Sequence, residues 1–147
     1  MPPHPAQLPF KFPFYGYYAD AIYINANGFL SFGPFSPCVE AAFCNWATVR
    51  NKYTQYIAPL MADFNPSNEF SSHFQTKISY MLDGVPPYGN RFIVQWSNIT
   101  LYRQKSLAFD DKFTFQASLW DNGDVTLNYL LLPSDVGKEV FIILLVL

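Results

Sequence analysis

A chain of 147 residues, half of them apolar, has the length of one domain and can bury a core without metals or many disulfides. Charged residues make up 14% of it and the net charge is −2, with no run of Lys or Arg able to neutralise successive phosphates, which argues against nucleic acid as a partner. Aromatic residues reach 19%, with fifteen Phe, ten Tyr and three Trp, a composition that suits the half-buried pleated surface of strands.

In chain order, the Met1-Pro2-Pro3-His4-Pro5 start lacks a basic region followed by an apolar one, and no segment reaches the roughly 18 to 20 consecutive apolar residues of a spanning helix. Neither a secretion signal nor an anchor is expected within the chain. The run Leu8-Pro9-Phe10-Lys11-Phe12-Pro13-Phe14-Tyr15-Gly16 sets Phe10, Phe12 and Phe14 on one side of an extended segment. Proline cannot donate to a ladder, so this segment is an edge strand or a strap over the core. Ala21 to Ala26 then leads through Asn27-Gly28 into Phe29-Leu30-Ser31-Phe32, a hairpin whose Asn-Gly pair suits the two positive-φ positions of a type I′ turn. Residues 33 to 54 show no sustained period and form a long irregular loop, of the kind that carries recognition.

Tyr56 to Ala62 is apolar and reads as a short strand ending in the turn signal Asp63-Phe64-Asn65-Pro66-Ser67. From Phe74 onward Ile78, Tyr80 and Leu82 alternate with Gln75, Lys77 and Ser79 until the stretch Asp83 to Asn90. Arg91 to about Tyr102 resumes as the partner strand, with Phe92, Val94 and Trp96 on one face. The clearest alternation is Lys112 to Trp120: Phe113, Phe115, Ala117 and Leu119 face one way, Lys112, Thr114, Gln116 and Ser118 the other. It passes through the positive-φ turn Asp121-Asn122-Gly123-Asp124 into Val125, Leu127, Tyr129 and Leu131. About eight strands with short turns and no long amphipathic helix predict an all-β fold, an antiparallel β-sandwich or partly open barrel, as a single domain over 1–147. The Lys138 to Leu147 tail is either a final strand or the product of a truncated gene model.

Candidate sites are few. Catalysis by Cys and His would have to draw on Cys38, Cys44, His4 and His73, with no nucleophile signature around any of them, so no enzyme and no cofactor is expected. Cys38 and Cys44 match no common zinc spacing and are either a loop disulfide in an oxidising compartment or two thiols. Asp121 to Asp124 lacks the full ligand spacing of a calcium loop and is accounted for by turn chemistry, while Asp63, Asn65, Asp110 and Asp111 are not brought together by sequence. Asn98-Ile99-Thr100 is an N-glycosylation triplet, whereas Asn65-Pro66-Ser67 is disqualified by its proline. Trp46, Tyr53 and Tyr88, with Tyr17 and Tyr18, are candidate ligand-contact aromatics, against the alternative that each packs into the core.

The Leu8 to Gly16 run, the Asn27-Gly28-Phe29 hairpin, Thr54-Gln55-Tyr56-Ile57-Ala58-Pro59-Leu60-Met61-Ala62-Asp63-Phe64-Asn65-Pro66-Ser67, Val94-Gln95-Trp96 and Phe113-Thr114-Phe115-Gln116-Ala117 carry a family resemblance. Together they resemble the nidogen-like extracellular domain of the plexin-domain-containing proteins, the tumour endothelial marker 7 group, over residues 8–132. The resemblance implies a type I membrane protein with a signal peptide, this domain, a cysteine-rich repeat and one spanning helix. It also implies an extracellular protein or basement-membrane ligand, no catalytic residues and no membrane insertion by this segment itself. The Cys38 to Cys44 insert is longer than that family's pattern. Two other functions fit the same residues: a structural matrix module of nidogen or mucin type, and a carbohydrate-binding β-sandwich using Trp46 or Tyr88.

Overall fold

The computed structural model describes residues 4–33, 55–66, 75–84, 87, 89–102 and 112–134. Among these residues there is no helix, and nine strands run in the order β1 (His4–Phe14), β2 (Tyr17–Asn25), β3 (Phe29–Ser31), β4 (Tyr56–Ile57), β5 (Phe64–Asn65), β6 (Lys77–Gly84), β7 (Asn90–Leu101), β8 (Phe113–Trp120) and β9 (Val125–Leu131). They form two antiparallel sheets, one ordered β1-β2-β3-β4 and one in which β9, β8 and β7 follow one another. β8 takes one edge of β7, so β5 and β6 share the other, β6 along residues 90–97 and β5 along residues 100–101. The expected sandwich is thus realised, and the sheets do not close into a barrel.

The core lies between the sheets, where the period-2 pattern predicts it. Phe92, Val94 and Trp96 of β7 stand opposite Leu119, Ala117 and Phe115 of β8, and all six are buried. They meet Phe12, Phe14, Ile22, Ile24, Leu30 and Ile57 of the first sheet in one continuous cluster. Rings interlock within it: Trp96 stacks on Phe115 at 5.1 Å, Phe14 on Phe32 at 4.3 Å, and Phe64 meets Phe113 edge-on at 5.3 Å. Each large side chain so buried stabilises by roughly 1.5–3 kcal/mol. A second, smaller cluster gathers Phe29, Tyr56, Ala58 and Met61.

Three hairpin ends show where local reasoning held and where it slipped. Asn27 is not in the left-handed region; of that turn only Gly28 is, at φ 81°. With Asn25 paired to Phe29 and the Gly28 N–H donating to the Asn25 carbonyl, the loop has three residues, a type I turn closed by a left-handed glycine rather than the expected type I′. The Trp120–Asp124 end has the same construction, with Gly123 at φ 95° as expected. The two-residue loop with both φ values positive lies instead at Tyr15 (42°) and Gly16 (86°), where Phe14 pairs with Tyr17. Residues 4–14 are therefore the outer strand of a hairpin, the edge strand of the two alternatives rather than the strap.

Two further expectations are modified by tertiary contact. Phe64–Asn65, read as turn, adds a two-residue strand beside Leu101 and Thr100, because the buried Phe64 ring carries the backbone to the end of β7. Of the strand expected over Tyr56 to Ala62 only Tyr56–Ile57 forms a strand, with an isolated bridge at Met61 beyond the break at Pro59, which brings no N–H to the ladder. Except for Gly33, the irregular stretch 33–54 lies outside the described residues, as does the tail 138–147.

Candidate functional site

The parity that sends Phe113, Phe115, Ala117 and Leu119 into the core sends Thr114, Gln116, Ser118 and Trp120 to the opposite face of the second sheet. Register then sets Arg91 opposite Trp120 and Gln95 opposite Gln116, with Asp83 opposite Arg91 and Asn128 opposite Gln116. Two rows of touching side chains cross this outer face. In the first, Asp83 Oδ2 accepts from Arg91 Nη2 at 2.7 Å and Nε at 3.1 Å. The guanidinium then lies 5.1 Å from the centre of the Trp120 ring, whose Nε1–H donates to Thr126 Oγ1 at 3.0 Å. In the second, Gln95 donates to Ser97 Oγ at 2.5 Å and accepts from Gln116 Nε2 at 2.6 Å, and Asn128 Nδ2 reaches Gln116 Oε1 at 3.5 Å.

Between the rows sits Ser118, 1% exposed, its hydroxyl without a hydrogen-bond partner. The Asp83–Arg91 pair is partly solvated, so it contributes under about 1 kcal/mol, and the Arg–Trp contact adds about as little. What the rows provide is order: an Arg and a Trp held in one orientation by neighbours on either side. Side chains held in this way lose little entropy when a partner docks, and Arg and Trp are the types that dominate interface energetics.

The residues singled out by sequence fall elsewhere. Asn98 is described: it sits at the bulge of β7 between Trp96 and Ile99, in the left-handed region at φ 52°. Its N–H donates to Thr114 Oγ1 at 3.0 Å, its carbonyl accepts from Thr76 Oγ1 at 3.1 Å, and its Nδ2 reaches the Gln75 carbonyl at 3.5 Å. Tyr18 is 68% exposed, whereas Tyr17 packs against Phe14 and Phe32 with its hydroxyl buried and unpartnered, and burial pushes that phenol up from its ordinary pKa. Cys38, Cys44, Trp46, Tyr53, Tyr88, His73, Asp110 and Asp111 lie outside the described residues.

Turn contacts engage Asp121 and Asp124. Asp121 Oδ2 accepts from the Asn90 N–H at 2.9 Å and from Asn90 Nδ2 at 3.2 Å, and Asp124 Oδ2 accepts from Asn122 Nδ2 at 2.8 Å. Among the described residues no three His, Cys, Asp or Glu side chains come together to hold a metal ion.

A family model described as nidogen-related matches residues 3–139, a span that contains both sheets. The chain belongs to the nidogen-related family. No solved structure matches it. Nidogen-related domains are typically extracellular and structural rather than catalytic in type. In this nidogen-related domain the ordered polar face was missed by sequence reasoning because its rows depend on register between strands. One signal was available: Trp120 is an aromatic residue at the polar parity of β8.

Proposed function

We propose that this nidogen-related domain is the extracellular recognition and adhesion part of a cell-surface receptor resembling the plexin-domain-containing proteins. On this proposal it is non-enzymatic and binds a secreted protein or basement-membrane ligand through the outer face of its second sheet. The observation that carries the reading is the ordered row Asp83–Arg91–Trp120–Thr126. Such a row offers a rigid aromatic and a fixed cation side by side, with amide groups one row away to complete hydrogen bonds. The family membership supports the extracellular setting, and the anchor of the full-length protein belongs to the same proposal. Asn98 is the glycan acceptor on this view, so digestion of the secreted protein with peptide N-glycosidase removes the mass of one glycan and Asn98→Gln removes the shift.

Binding of the secreted domain to immobilised basement-membrane matrix tests the reading. Arg91→Ala and Trp120→Ala each weaken retention by roughly 30-fold, the loss of about 2 kcal/mol typical of a central contact, while thermal midpoints stay within a few degrees of wild type. Retention unchanged in both variants would remove the outer face as the site. No retention of the wild-type domain would overturn a basement-membrane ligand.

A further inference from the structure

The edges of the two sheets are not equally protected against pairing. β1 carries Pro5, Pro9 and Pro13, each lacking a backbone donor, and cannot template a neighbouring strand along its length. β4 and β5 are two residues each, and β9 is bulged between its pairings at Tyr129 and Leu131. β6 has none of these devices. It is eight residues long, holds no proline, pairs regularly with β7 from Lys77 to Gly84, and no described strand pairs its other edge. Its centre is apolar and open to solvent: Tyr80 is 50% exposed, Met81 58% and Leu82 52%. Its charges stand only at the ends, Lys77 at the start and Asp83 near the finish.

We infer that the edge of β6 left unpaired by the described strands pairs antiparallel with β6 of a second copy of this chain, about a two-fold axis at Tyr80. The register follows from charge and face. With Tyr80 opposite its own copy, Ser79 faces Met81, Ile78 faces Leu82, and Lys77 faces Asp83, twice over by symmetry. A shift by one residue would set the inner-face residues of one copy beside the outer-face residues of the other. A shift by two keeps the faces but leaves both Lys77 side chains without Asp83. Both Arg91 contacts fall on Asp83 Oδ2, so Oδ1 is the oxygen presented to the second copy's Lys77. The Tyr80 ring is already ordered, stacked on Phe92 at 5.3 Å and 6.5 Å from the His4 ring.

The result is one sheet running β9-β8-β7-β6 in each copy, eight strands across, with the two outer faces side by side in one plane. A single strand pair is a small interface, so the dimer is weak, with dissociation in the micromolar range, ~10 μM or above. Such pairing does not depend on what the outer face binds. If that face does take a ligand, the dimer presents it twice.

Sedimentation velocity of the secreted domain over concentrations up to about 200 μM tests the inference. Wild type shifts from monomer to dimer across that range. Lys77→Asp alone and Asp83→Lys alone each set like charges opposite one another and weaken self-association at least ~10-fold. An equimolar mixture of the two variants again sets opposite charges at both ends and restores association to within about threefold of wild type. That rescue also separates β6 pairing from a folding defect, because each variant must be native to take part. A wild-type domain that stays monomeric throughout, including one whose β6 edge accepts only foreign extended peptides, would overturn the inference. So would a dimer unaffected by either variant, or a mixture that fails to associate.

Discussion

Tyr17 shows how one atom sets a measurable property. Its ring fills space between Phe14 and Phe32, yet its hydroxyl is buried without a partner, so the chain carries the desolvation cost of that group with no hydrogen bond to offset it. Tyr17→Phe keeps the ring and removes the orphan, and raises stability by up to about 1 kcal/mol in urea denaturation at neutral pH. The phenol also gives a pH signature. Burial raises its folded-state pKa above the unfolded value near 10, so the folded chain holds the proton more tightly. This contribution is complete below about pH 10 and is lost as pH rises through the folded value. Tyr56 and Tyr129 shift the same way for the same reason, so stability falls on the alkaline side, and Tyr17→Phe makes that fall shallower without abolishing it.

At the scale of elements, the hairpin ends look alike in sequence but differ in what surrounds them. The Ala26 to Gly28 turn docks against residues 60–64, with Gly28 buried. The buried Asn25 offers its carbonyl to Trp96 Nε1 at 2.9 Å, Asn27 accepts the Ala62 and Phe64 N–H groups at 3.2 and 3.1 Å, and a Cβ at Gly28 would meet the Leu60 carbonyl oxygen. By contrast a Cβ at Gly16 meets nothing within 4 Å. Both glycines have positive φ, so replacement by Ala strains both backbones alike, by about 1 kcal/mol. The difference is steric: Gly16→Ala costs about that strain alone, while Gly28→Ala costs more than about 3 kcal/mol because the obstructing atom is backbone. Comparing the two urea midpoints checks this, and equal losses would show that the Gly28 turn does not dock as described.

Over the whole molecule, the two sheets share one apolar cluster, and the Trp96 bond to Asn25 ties the second sheet to a hairpin of the first. Neither sheet can bury its inner face alone, so the described core unfolds as one cooperative unit. Far-UV circular dichroism and the near-UV signal of the buried Trp96 and its stacked Phe115 should therefore lose intensity at the same denaturant concentration. Separate midpoints would mean that the sheets are independent units. The place of β6 at the end of its sheet belongs to this scale too, since β5 stops after two residues beside the far end of β7 and leaves Asn90–Ser97 for β6 to pair.

Sequence by itself determined the longer strands and, for β7 and β8, the side that meets the core, because alternation at period 2 is a local property. The inward sets Phe92, Val94, Trp96 and Phe113, Phe115, Ala117, Leu119 were legible for that reason. Even so, the alternation that set Ile78, Tyr80 and Leu82 on one side did not fix their burial: Tyr80 and Leu82 are half exposed, because burial depends on how far the opposite sheet extends. Composition bounded the chemistry, and the Phe-rich and Asn-Gly-Phe segments carried the nidogen-like resemblance that the family match supports. Only the tertiary structure decided which glycine takes which turn, and that Phe64–Asn65 joins a sheet. It alone aligned Asp83, Arg91, Trp120 and Thr126 in one row. These residues are up to 43 positions apart in the chain (126 − 83) and meet through strand register, which is set by the packing of the entire core rather than by any residue's neighbours in sequence.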